Sequence, residues 1–199
     1  MEPQEKNVTD EFMLKEYENI ASAHFDSQNG LRQQFRFYLL ISAVPLTVLG
    51  LTFRVGADIQ HIGLFDLPKL LAAAFIGIGF LGLLMLLSMI HTALDATLYA
   101  RTVNGIRRYF VDRATAGGTA LSPYLKMPIV VDRPKYFHIR AFFWQVILIS
   151  AVNCAYITIG VRNYTKSCFA LYGVTLLFGC QIGAYFVFSH LRERKEISG

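Results

Sequence analysis

The stretch LLAAAFIGIGFLGLLMLLSMI, residues 70–90, decides the fold, because it runs for 21 residues without an Asp, Glu, Lys or Arg. As a helix rising ~1.5 Å per residue it reaches about 30 Å, the thickness of a bilayer's hydrocarbon core. Lipid offers a backbone amide no partner, so a run of this kind is read as a helix that satisfies its own hydrogen bonds. Working outward, three further apolar runs appear: Phe37–Phe53, Ala141–Val161 and Ser167–Ser189. The first is the shortest at 17 residues. Its flanking Arg36 and Arg54 can snorkel to the surface, and Pro45 is expected to bend it by removing one backbone hydrogen bond. The chain has 199 residues, 54% of them hydrophobic and only 17% charged. The expected fold class is all-α: a polytopic membrane protein with four transmembrane helices.

The cations give an orientation. The arm 1–36 carries Lys6, Lys15, Arg32 and Arg36, the middle connection 91–140 carries eight Lys or Arg, and the tail 190–199 carries Arg192, Arg194 and Lys195. The other two connections hold only Arg54 and Lys69, and Arg162 and Lys166. Cationic segments stay inside, so both termini and the middle connection are expected in the cytoplasm, N-in/C-in. The organisation is then a cytoplasmic arm 1–36, a hairpin 37–90, a cytoplasmic segment 91–140, a hairpin 141–189 and a cytoplasmic tail 190–199. The expected location is the bacterial inner (plasma) membrane. Orientation and the anionic lipids of the inner leaflet account for the formal charge of +5, so no nucleic-acid partner is expected. The polar, acidic start is not a cleaved secretory signal. Cys154, Cys168 and Cys180 match no zinc spacing and read as small hydrophobes. Asn163-Tyr164-Thr165 spells a glycosylation sequon but lies too tight against the membrane to serve as one.

Residues from about Thr9 to Arg36 read as one helix running into the first span. Leu14, Tyr17, Ala21, His24, Gln28, Leu31, Phe35 and Tyr38 recur by threes and fours, a seam too polar in its centre for an autonomous coiled coil. It is expected to pack on the middle connection or on another subunit. Asn29-Gly30 is either a hinge or a tolerated weak point. His24 and Asp26 make no site by themselves.

His91 to about Arg113 continues the second span as a helix with an apolar stripe of Tyr99, Val103, Ile106 and Phe110. Arg101, Asn104, Arg108 and Asp112 form the opposite face, with Arg107 beside it, and Asp112 lies one turn from Arg108. Arg101, Asn104, Arg107, Arg108 and Tyr109 are the candidate face for phosphate, lipid or a partner, because guanidinium forks match phosphate oxygens and stack on rings. Anionic headgroups or simple solvation would use the same residues. After Gly117-Gly118, Pro123, Pro128 and Pro134 forbid a helix over Leu121–Lys135, and Ile129–Val131 is a candidate short strand. Its apolar residues are expected to dock it on the cytoplasmic helices. Lys135-Tyr136-Phe137-His138 and Arg140 then form an aromatic and basic anchor at a membrane edge.

No ionisable side chain sits at membrane depth, which argues against proton-coupled transport. The candidate pore or helix-packing residues are Pro45, Ser150, Asn153, Thr158, Gly179, Gln181 and Gly183. Polar groups of this kind usually join neighbouring helices, and Gly179 and Gly183 form a GxxxG pair that lets helices approach closely. Gly77-Ile78-Gly79-Phe80-Leu81-Gly82 spells a dinucleotide fingerprint, but inside a span it is a packing surface. No catalytic, cofactor or metal residues stand out, so no enzyme is expected.

An inward N-terminal helix, paired spans and a helix leaving the second span, over residues 9 to about 115, resemble the small bacterial SLATT-type membrane effectors of nucleotide-signalled antiviral systems. Those are usually described with two spans, where this chain reads with four. Leu98-Tyr99-Ala100-Arg101-Thr102-Val103-Asn104-Gly105-Ile106-Arg107-Arg108-Tyr109-Phe110 is also similar to a segment of uncharacterised bacterial four-span membrane proteins. The leading expectation is a self-assembling membrane protein, a homo-oligomer, that forms or gates a pathway under control of its cytoplasmic domain. A non-conducting anchor for a cytosolic partner is the alternative, and a carrier for a neutral solute a distant third.

Overall fold

A computed structural model describes residues 8–55, 69–119, 129–139, 141–165 and 170–198. Among them the chain is all-helical, with α1 Val8–Val55, α2 Lys69–Ala116, α3 Ala141–Thr165 and α4 Ala170–Ser198. Three stretches are long and apolar enough to cross a membrane, Lys69–Ala116, Ala141–Thr165 and Tyr172–Ile197, so the protein is membrane-embedded. The expected first span lies in α1, and the side chains of residue 49 and of residues 52–55 fall outside the described set. So do residues 56–68 and 166–169 of the outer connections, residues 120–128 of the proline-punctuated segment, and Arg140.

α1 passes through Asn29-Gly30 and Pro45 without a break. Gly30 therefore acts as a tolerated weak point: its cost of about 1 kcal/mol is small for a helix of 48 residues. α2 runs far beyond its apolar run and ends where expected. Gly118 takes the left-handed conformation (φ 83°), Thr119 N–H bonds Ala114 O and Gly118 N–H bonds Thr115 O. This paired cap satisfies the last carbonyls and needs a residue without a Cβ at its pivot.

The chain divides into two compact units. The first takes Met1–Leu31 and Thr92–Tyr136. In it, Val103, Ile106 and Val111 of α2 are buried, and residues 129–136 lie along α2 as irregular chain. Ile129–Val131 is not the expected strand. Val130 O instead accepts from Arg133 N–H in a turn and from the Asn104 side chain, so that backbone is committed locally. The Arg133-Pro134 peptide is cis.

The second unit takes Arg32–His91 and Phe137–Gly199. α3 is the most enclosed of its three apolar helices and α4 the least. The buried rings of Phe75 and Tyr156 meet at a tilt of 57° with centroids 5.3 Å apart, packed by Leu71, Ile78, Val152 and Ile159. The α2–α3 crossing is built on glycine. A Cβ on Gly160 would sit 2.7 Å from Ala72 O and 3.0 Å from Ile76 N, and one on Gly79 would sit 3.2 Å from Asn153 O. Such contacts let two backbones touch, which is how helices associate where apolar side chains find lipid as good a partner as each other. The outward Leu40, Leu70, Leu176 and Tyr172, 69–85% exposed, fit a lipid surround.

Candidate functional site

Helical periodicity puts one edge of α1 and one edge of α2 on a half-open cleft of the first unit, about 480 Å³ in volume. α1 contributes Tyr17, Ala21, His24 and Phe25, and α2 contributes Ala100, Val103, Asn104 and Arg107. The seam expected on α1 thus packs on the middle connection at Tyr17, Ala21 and His24. His24 Nδ1 lies 2.9 Å from Ala96 O. A carbonyl only accepts, so Nδ1 carries the proton and a neutral ring presents Nε2 as a lone pair.

The five residues of the candidate face separate. Arg101 is buried: its Nε–H donates to Pro134 O at 2.8 Å and its guanidinium lies 4.3 Å over the Tyr136 ring. Asn104 is buried beside it and donates from Nδ2 to Arg133 O at 2.9 Å and Val130 O at 3.4 Å. Together they pin residues 130–136 to α2. Arg107 is half-buried and faces the cleft. It donates to Tyr17 Oη at 3.2 Å and to Asn104 Oδ1 at 3.4 Å, and its guanidinium stands 5.7 Å from the Tyr17 ring centroid. Arg108 is exposed and pairs with Asp112 at 3.6 Å. Tyr109 donates its hydroxyl to Asp10, which also takes Arg113.

Electrostatics single out Arg107. Arg108 and Arg113 each meet an aspartate, whereas Arg107 meets only neutral acceptors among the described residues, and no carboxylate lines the cleft. A half-buried guanidinium with neutral partners keeps both charge and donors for a further anion.

The polar residues of the apolar helices have found one another. Tyr38 donates to Asn153 Oδ1 at 2.9 Å, Asn153 Nδ2 donates to Gln181 Oε1 at 3.1 Å, and Gln181 Nε2 approaches Cys154 Sγ at 3.3 Å. This chain joins α1, α3 and α4, and Asn153 is fully buried. Thr158 bonds back to Cys154 O in its own helix. Ser150 is buried with no partner for Oγ among the described residues, and Pro45 is buried. Gly179 and Gly183 are different: a Cβ on either would meet nothing within 4 Å, so the GxxxG pair joins no helix of this chain among the described residues. Cys180 between them is exposed, and Cys154 is buried.

Several of these participants were not singled out by sequence reading. Gly160 has a signal in hindsight, since it lies two helical turns from Asn153 on one face. Tyr156, whose hydroxyl donates to Ser42 O, reads as an ordinary aromatic of a span. Comparison with protein-family models, with curated proteins and with solved structures found no match.

Proposed function

We propose that this chain is a four-span protein of the bacterial inner membrane, N-in/C-in, that self-assembles and acts as a membrane effector controlled from its cytoplasmic unit. The observation that carries the reading is the cleft with Arg107 held only by neutral acceptors among the described residues, a ligand-sized hollow within the 300–1,000 Å³ range of small-molecule sites. It is lined by α1 and α2, and each of these helices runs unbroken from the first unit into the second. An occupant that draws the two helices together, or parts them, has differential contacts through which it can bias a two-state bundle. The open face of α4 at Gly179 and Gly183 supports assembly, because small residues allow close approach and no described residue covers them.

The hydrogen-bond chain through Asn153 narrows the mechanism. Those polar groups hold the protomer together, so a pathway would form between copies rather than through one. Release of an encapsulated dye from proteoliposomes tests the reading. The expected result is release that changes in an Arg107→Glu variant of normal assembly. Equal release from protein-free vesicles, wild type and variant would overturn it.

A second reading, an anchor for a cytosolic partner, has its own support. Val8, Phe12, Leu14 and Phe25 in the first unit are 54–81% exposed, and apolar side chains in such numbers outside the lipid-facing helices suit a protein partner. Co-purification of a soluble protein, lost in a Val8→Asp/Phe12→Asp variant, would favour it.

A further inference from the structure

We infer that the cleft between the N-terminal part of α1 and the C-terminal part of α2 binds a small amphiphilic anion. Its phosphate or carboxylate head would sit on Arg107, its flat apolar body on Ala21, Ala100 and Val103, and a hydrogen-bond donor would reach His24. The inference rests on the reading of the first unit as the control domain and names the chemistry that unit receives.

Arg107 fixes the head. Its two hydrogen bonds, to Tyr17 Oη and Asn104 Oδ1, orient the guanidinium without neutralising it. Five N–H donors are available on a guanidinium and its fork matches a planar or tetrahedral oxyanion. Tyr17 adds a hydroxyl that already accepts from Arg107, leaving its own O–H to donate to the same oxyanion. Among the described residues no carboxylate lines the cleft, so none there competes for the cation.

The walls fix the body. Ala21, Ala100 and Val103 give the cleft an apolar lining with two small side chains, and the Tyr17 and Phe25 rings line it too. Phe25 is 66% exposed and meets His24 in a T-shaped pair with centroids 5.9 Å apart, so much of its ring is open to a ligand. A flat ring suits such a lining better than a branched chain does.

His24 fixes the far end. With Nδ1–H committed to Ala96 O, Nε2 is the ring nitrogen left to accept whenever it carries no proton. Tyr17 and His24 are seven residues apart on one helix, which sets the two protein ends of the site roughly 10 Å from each other. A simple inorganic anion meets only the Arg107 end. The full site is suited to an anion with a ring and a distal N–H or O–H. Both a soluble metabolite and an anionic lipid headgroup present a phosphate of this kind.

The test is isothermal titration of 4-aminophenyl phosphate, which has a dianionic head, a ring and a terminal amine, into the full-length protein in dodecyl maltoside micelles. Saturable binding is expected. It should weaken by about tenfold or more in Arg107→Ala, as for loss of a charged hydrogen bond, and similarly in Ala21→Leu, which adds bulk to the lining and removes no hydrogen bond. Arg108→Ala should bind as wild type does. Repeating the titration with phosphatidylglycerol in the micelles separates the sources: competition assigns the site to a headgroup, and undiminished binding assigns it to a soluble anion. No saturable binding, or equal affinity in wild type, Arg107→Ala and Ala21→Leu, would overturn the inference. Binding without any control of permeability would leave this site standing and remove the effector reading. Controlled permeability without probe binding would do the reverse.

Discussion

Replacing Gly160 by alanine is the sharpest perturbation of the membrane bundle. The new Cβ would lie 2.5 Å from Ile76 Cγ1, 2.7 Å from Ala72 O and 3.0 Å from Ile76 N. Ile76 Cγ1 hangs directly on a stiff β-branched carbon and the other two atoms are α2 backbone, so none of the three swings aside cheaply. A carbon–oxygen contact settles near ~3.3 Å, so α2 and α3 must part by about 0.6 Å. A radial gap of that size forfeits roughly a quarter of the dispersion well for every atom pair along the crossing. Overpacking of this kind costs about 1–3 kcal/mol, against which alanine recovers up to about 1 kcal/mol of helix propensity. Destabilisation wins, by roughly 1–2 kcal/mol, which at about 2–4 °C per kcal/mol lowers the melting temperature by several degrees. The assay is thermal unfolding in mild detergent, followed by size-exclusion recovery of Gly160→Ala beside Gly179→Ala. The second variant has nothing within 4 Å of the added methyl and should melt with or slightly above wild type. Gly160→Ala melting no lower than Gly179→Ala would refute the reasoning that backbone contact at this glycine sets the crossing.

Other outcomes follow from the same geometry. Asn153→Leu takes away the nearer acceptor of the Tyr38 hydroxyl, leaving it Ile149 O at 3.3 Å, and strands Gln181 Oε1, so it should cost about 1–3 kcal/mol in the same melt; an unchanged melt would mean the Tyr38–Asn153–Gln181 chain holds nothing. Arg101→Lys keeps the charge but loses the planar group that lies over Tyr136 and bonds Pro134 O, so limited proteolysis should cut residues 129–136 faster than in wild type. Arg108→Ala removes only an exposed pair with Asp112, about 0.3–0.5 kcal/mol at most, and its melt should not differ measurably. Gly179→Leu with Gly183→Leu should abolish assembly while leaving the protomer's melt in place, as read by native mass spectrometry and thermal unfolding together.

What could be read in the sequence was what depends on one helix at a time. Apolar runs long enough to cross a bilayer placed the cores of α2, α3 and α4, and helical spacing carried α2 on to about Arg113, short of its end at Ala116. Of the glycines in the GxGxxG stretch, read as packing surface, Gly79 and Gly82 do face Asn153, while a Cβ on Gly77 meets nothing within 4 Å among the described residues. What escaped depends on a second element. Arg107 and Arg108 are neighbours separated by about 100° around the helix, and only the position of α1 tells which one meets Tyr17. Arg101 and Asn104 look like solvent-facing groups until residues 130–136 fold over them. The strand expected at Ile129–Val131 failed because its carbonyl at residue 130 is taken by a turn and by Asn104. Nothing local announces that capture.

Self-assembly is the claim on which the effector reading depends, because Tyr38, Asn153 and Gln181 spend a protomer's polar groups inside the protomer. Native mass spectrometry of the full-length protein released from a mild detergent tests it most directly. The account predicts a closed assembly of about four or more copies, bounded by point-group symmetry, that is lost in the Gly179→Leu/Gly183→Leu variant. A wild-type protein that emerges only as a monomer would contradict it.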